Sequence, residues 1–229
     1  MEVVFSIRPL LLFIIEIILC YLIITSKSKI KWPAFFLVLF LASYQLGEVL
    51  ILFTQIPFVS IFAFTATSLV PVTALLLIEK IKTNTIKYTP YLYIVPLFFI
   101  IYAIMRPEVF SVLSIDYCFI KYGNLIATST LYYAWASYYY IPFLSIGLVY
   151  SIIQTQKSKS VEQKMLFTLM TLNYIVTLPT SFLLAGILNH SPLYLVSTMC
   201  SLAVFTCIIT YIMVLKTSKN HKNIKSHQG

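Results

Sequence analysis

Glycine is scarce in this chain, at five in 229 residues, and aspartate and glutamate together number only seven. So few glycines, scattered, leave no glycine-rich phosphate loop. Neither a His-Glu-x-x-His helix nor a Gly-x-Ser-x-Gly elbow is present, so the chain offers no footing for zinc-dependent or serine hydrolase chemistry. No enzyme is expected. Charged residues make up 10% of the chain against 60% hydrophobic ones, a balance a water-soluble domain of this length cannot hide. Four cysteines form no disulfide framework: Cys20, Cys200 and Cys207 fall in apolar runs, and Cys118 stands alone outside them. They are expected as small core-filling side chains. His221 and His227 have no acidic or thiol neighbours that would make a metal site, and no cofactor is expected. The last apolar run carries no lysine, which excludes a retinal Schiff base.

What the chain does have is long apolar runs, and its mean hydropathy is +0.92. Stretches of roughly 18 or more such residues read as membrane-spanning helices, because lipid offers backbone groups no partners. Seven are expected, at 9–26, 34–54, 58–81, 90–105, 131–153, 165–188 and 192–215. The fold class is therefore all-α, a polytopic membrane protein built as a seven-transmembrane-helix bundle over 1–215. A basic tail follows at 216–229, expected to hug anionic headgroups or stay disordered. The first run follows Glu2 and Arg8 and has no small-x-small cleavage site behind it, so it reads as a retained helix, not a signal peptide.

Lysines and arginines alternate between the gaps. Thirteen lie on one side (Lys27, Lys29, Lys31, Lys80, Lys82, Lys87, Lys157, Lys159, Lys164, Lys216, Lys219, Lys222 and Lys225) and three on the other (Arg8, Arg106 and Lys121). By the positive-inside rule the amino end is outside and the carboxyl end cytoplasmic, in a bacterial inner membrane. The net charge of +9 is thus topological; the lipid bilayer, not nucleic acid, is the expected partner. Trp32 and Trp135, at expected helix starts, read as interface anchors. The outer segment 107–130, with Glu108, Asp116, Cys118 and a Tyr-Gly-Asn turn signal at 122–124, reads either as a lid or as an interfacial loop.

Two carboxylates lie inside apolar runs, where each costs roughly 2.5–3.5 kcal/mol on an insertion scale. Counted from the expected outer ends, Glu16 and Glu48 each lie roughly 9–11 Å deep, at matching levels on neighbouring antiparallel helices. Tyr44, Gln45, Glu48 and Gln55 share one side of helix two; Asn173, Thr177 and Thr180 do so on helix six. Tyr132, Tyr133, Tyr138, Tyr139 and Tyr140 open helix five. Glu16, Glu48, Gln45 and Asn173 are the candidate ligand-binding or proton-binding residues. The alternative is interhelical hydrogen bonding that holds the bundle, with tyrosines as interface anchors. Pro71, Pro96, Pro142 and Pro179 fall within expected helices and should kink them. No repeat relates the first three helices to the last three.

Several segments resemble the seven-helix amino-terminal sensor region of bacterial histidine kinases. They are Ser-Leu-Val-Pro-Val-Thr-Ala-Leu-Leu-Leu at 68–77, Ile-Val-Pro at 94–96, the aromatic stretch 131–140 leading to an inner loop with Glu162, Gln163 and Lys164, and Thr-Leu-Pro at 177–179. The resemblance covers about 31–216. That family usually carries tryptophan in helix two, where this chain reads Tyr44-Gln45-Leu46-Gly47-Glu48. About fourteen residues follow helix seven, too few for a kinase region. The resemblance implies a stand-alone input module that takes a small ligand or membrane cue and signals to a separate partner such as a kinase or cyclase. A small proton-coupled carrier using Glu16 and Glu48, or a structural subunit of a membrane complex, are the alternatives.

Overall fold

A computed structural model describes residues 2–54, 56–87, 89–107, 134–187 and 202–226. Among them the chain is helical, without strands. The helices are α1 (Glu2–Ile24), α2 (Lys31–Thr54), α3 (Pro57–Thr83), α4 (Ile94–Met105), α5 (Ile141–Lys157), α6 (Val161–Ile187) and α7 (Ala203–Ser226). A 3₁₀ turn, Thr89–Tyr93, leads into α4, and a π turn, Ala136–Tyr140, leads into α5. Lys31–Ile51, Phe58–Thr83 and Ala136–Lys157 are long and apolar enough to cross a membrane; Leu10–Ile24, Thr89–Met105 and Ala203–Ser218 are shorter apolar helices. The segment expected as a lid beyond Pro107, Gln55, Tyr132, Tyr133, Cys118, Cys200 and the expected start of helix seven lie outside the described residues.

Helix limits differ from the apolar limits for one reason. Hydropathy marks where lipid would end, whereas a helix continues wherever its backbone bonds are made. So α1 starts at Glu2, not near Pro9, and α7 runs past Leu215 to Ser226.

α3 is the spine, packed against α2, α4, α5 and α6. α1 lies on α2 and α7, and α7 touches α2 and α6, so α1, α7, α6 and α5 wrap the α2–α3 pair while α4 rides on α3. α2 and α3 approach closely at Gly47, where an added Cβ would stand 2.6 Å from Ala63 Cβ. Small residues let helices meet this way in membranes. Pro57 stands in the first turn of α3, and Asn84 ends the helix at φ 56°, with Lys80 Nζ donating to the Asn84 carbonyl at 2.6 Å.

Large apolar side chains also point outward: Leu11, Ile14, Ile18 and Tyr21 on α1, and Phe98, Ile101 and Met105 on α4, are exposed. Apolar surface on that scale fits a lipid environment better than water.

One end of the bundle gathers the lysine-bearing connections. Ser28 and Thr217 share a hydroxyl–hydroxyl bond. Gln163 Nε2 donates to the Ile81 carbonyl at 3.2 Å, Lys82 Nζ donates to Tyr150 Oη at 2.6 Å, and Lys29 pairs with Glu162 at 3.7 Å. Glu79 accepts from the Lys87 and Thr89 amides at 2.9 and 3.1 Å, pinning the turn after α3.

The four prolines divide. Pro71 and Pro179 lie inside α3 and α6. Pro96 and Pro142 instead occupy the first turns of α4 and α5, where a missing N–H costs little. The π turn widens the helix before Pro142, with Ile141 N–H donating to the Ala136 carbonyl, which gives the ring room. The π turn also turns Tyr139 inward, so that its hydroxyl donates to the Ser68 carbonyl and lies in reach of the Val72 N–H. Pro71 removes the N–H that would have bonded the Thr67 carbonyl, and the Tyr139 bond ties the chain before α5 to α3 one residue along from that gap.

Two anchor assignments are corrected. Trp135 is buried, with its ring 5.1 Å from Phe64 and 4.6 Å from Tyr140, so it is core; Trp32 is exposed at the start of α2. Tyr139 and Tyr140 are likewise buried, and of the three described tyrosines at 138–140 only Tyr138 is exposed. The one-residue widening of the π turn, invisible to hydropathy, decides which rings face in.

Candidate functional site

Glu16 is fully buried on α1. The Cys207 thiol of α7 donates to its Oε1 at 3.8 Å, and among the described residues Oε2 has no hydrogen-bond partner. Cys20, one turn along α1 and buried, completes a cluster in which Glu16, Cys20 and Cys207 interact electrostatically. Among the described residues no three metal-ligating side chains converge on one point.

Glu48 is buried on α2 and accepts from Tyr44 Oη at 2.8 Å, one turn away. It acts electrostatically on Glu16. Glu16 lies eight residues before the end of α1, and Glu48 lies 17 residues after the start of α2. At about 1.5 Å per residue, the two stand roughly 12 and 26 Å from the ends that the α1–α2 turn joins. Gln45 is buried beside Glu48 on the same helix.

Asn173 belongs to a different feature. It is buried on α6 and lines a cavity of about 50 Å³ where α2, α3, α5, α6 and α7 meet, together with Leu41, Tyr140, Tyr174, Thr177 and Thr206. Thr206 Oγ1 of α7 donates to Asn173 Oδ1 at 3.0 Å, and Thr177 Oγ1 donates to the Asn173 carbonyl at 2.8 Å.

Glu16, on which Glu48 acts electrostatically, and Asn173 are two centres, and α7 joins them. Thr206 and Cys207 are consecutive: one bonds Asn173 on α6, the other Glu16 on α1. Reading the sequence missed both: Cys207 was expected only as a core-filling side chain, and Thr206 was not singled out. Counted from the Ser28–Thr217 contact the levels of Cys207 and Glu16 agree, but that contact is not written in the sequence.

Compared with protein-family models, curated proteins and solved structures, the chain matches none. Function has to be argued from these two centres.

Proposed function

We propose that the chain is the input module of a membrane signalling system. In this reading it is a seven-helix bundle of a bacterial inner membrane, amino end outside and carboxyl end cytoplasmic. A small ligand or membrane cue acts at Glu16, Glu48, Gln45 and Asn173, and a separate partner such as a kinase or cyclase reads the displacement of α7. The observation that carries this reading is that adjacent residues of α7 bond both centres, and that α7 continues unbroken to Ser226. A helix of 24 residues transmits a tilt over roughly 36 Å. The likeness to kinase sensor regions supports the same reading.

To test it, the chain is fused at Ser226 to a histidine-kinase catalytic region without its own input, and autophosphorylation is measured in membranes. Thr206→Val should change the basal signal severalfold, while Val149→Leu on the exposed face of α5 leaves it unchanged. Equal signals from all three proteins would reject the proposal.

The carrier reading draws on one observation, the fully buried Glu16 carboxyl with one oxygen unpartnered among the described residues. It requires proton flux into pyranine-loaded liposomes that Glu16→Gln abolishes. The input-module reading requires no flux. Copurification with one large complex, with both carboxylates silent to substitution, would instead favour a structural subunit.

A further inference from the structure

The end of the bundle that gathers the lysine-bearing turns is one-sided in charge. Lys27 and Lys29 lie in the turn between α1 and α2, Lys31 opens α2, and the Ser28–Thr217 bond brings α7 at Lys216 against that turn. Lys27, Lys29 and Lys216 are exposed, and Lys31 is half-buried. Among the described residues the acids at this end are Glu79 and Glu162. Glu79 is taken by the Lys87 and Thr89 amides, and Glu162 pairs with Lys29 at 3.7 Å. One carboxylate therefore faces four positive charges, which repel one another unless an anion stands among them. Directly beside them the surface turns apolar. Trp32 is 53% exposed, with Lys31 Nζ 5.5 Å from the centre of its ring. Phe36, one turn further along α2, is exposed as well, its ring 6.3 Å from that of Trp32, and so is Tyr21 in the last turn of α1. A cation over an aromatic ring, with further rings toward the middle of the bundle, is the pattern of a membrane interface, where lipid phosphates meet acyl chains.

We propose that Lys27, Lys29, Lys31 and Lys216 hold the phosphate of an anionic phospholipid whose acyl chain lies along Trp32 and Phe36, and that this lipid ties α7 to the α1–α2 turn. An inorganic anion would meet the charges but leave the rings uncovered, and an acidic peptide would have no reason to follow them toward the middle of the bundle. The inference rests on the bundle lying in a membrane, and it holds for an input module and a carrier alike. α7 links the site to the two centres, since Lys216 lies ten residues, about 15 Å, along that helix from Thr206.

To test it, the full chain in a neutral detergent is titrated with phosphatidylglycerol or with phosphatidylcholine of the same acyl chains, and bound lipid is counted by native mass spectrometry. The first phosphatidylglycerol should bind roughly tenfold or more tightly than phosphatidylcholine. Each lysine at an anionic surface contributes about fivefold in affinity, so Lys31→Gln with Lys216→Gln should weaken that binding roughly 25-fold. Lys87→Gln with Lys157→Gln makes the same change of net charge at the same end, and should leave it within about twofold. An equal loss in both double variants would overturn the proposal, because the lipid would then follow net charge and not a site. Equal affinity for the two lipids in the unaltered protein would overturn it as well. So would displacement of the lipid by inorganic phosphate or by polyglutamate at matched charge, the marks of a free-anion site and of a protein-docking surface. Should the Lys31 and Lys216 double variant fail to accumulate, the comparison of the two lipids in the unaltered protein decides alone.

Discussion

Gly47 sits on α2 beside Glu48, and replacing it by alanine tests the packing that holds the carboxylate in place. The new Cβ would lie 2.6 Å from Ala63 Cβ and 3.2 Å from Ala63 Cα. Carbon atoms settle at about 3.5–4.0 Å, so the helices must part by roughly 1 Å. No rotamer relieves the clash, because alanine has none and the obstacle includes the α3 backbone. Overpacking of this kind costs about 1–3 kcal/mol. The better helix propensity of alanine returns about 1 kcal/mol, which leaves a net loss of about 0–2 kcal/mol. Reversible unfolding in mixed micelles, followed by circular dichroism against the mole fraction of dodecyl sulfate, would measure it. Stability raised by about 1 kcal/mol in Gly47→Ala, the gain helix propensity alone would give, would refute the close approach of α2 and α3 at this level.

The other expectations are smaller. Tyr139→Phe removes the bond beside Pro71; it should cost about 1 kcal/mol and speed hydrogen exchange at Val72 relative to the start of α3. Thr206→Val removes the bond to Asn173 and should lower stability by about 0.5–1 kcal/mol, near the average for such bonds within membranes. Lys29→Ala breaks an ion pair whose members are 37% and 24% exposed, so the same unfolding assay should register less than about 0.5 kcal/mol. A loss of 2 kcal/mol there would mean the contact is shielded from water.

Among the described residues, the helices and their approximate limits were legible because apolar runs and lysine-bearing gaps are coarse signals that do not depend on neighbours. The burial of Glu16, Gln45, Glu48 and Asn173 was legible too, since polar residues in an apolar helix turn toward its partners. Their grouping was not. Which residues meet depends on how the helices are set against one another, and the contacts of α7 with both Glu16 and Asn173 are not written in spacing along the chain. Cys207 looked like a core filler until its level was fixed from the Ser28–Thr217 end. The inward turn of Tyr139, Tyr140 and Trp135 rests on a π turn, and one extra residue in a helical turn leaves no mark on composition or spacing.

The central claim is that α7 is gripped from two sides through neighbouring residues, and cross-linking tests it most directly. In a protein carrying Glu16→Cys, with Cys20, Cys118 and Cys200 replaced by alanine, a short bifunctional thiol reagent is applied in native membranes. The chain is then cut at a protease site inserted between residues 120 and 121. If the Cys207 thiol lies against the position of Glu16, the two halves stay joined until the linker is cleaved. Complete separation of the halves, with both thiols shown to have reacted, would contradict it.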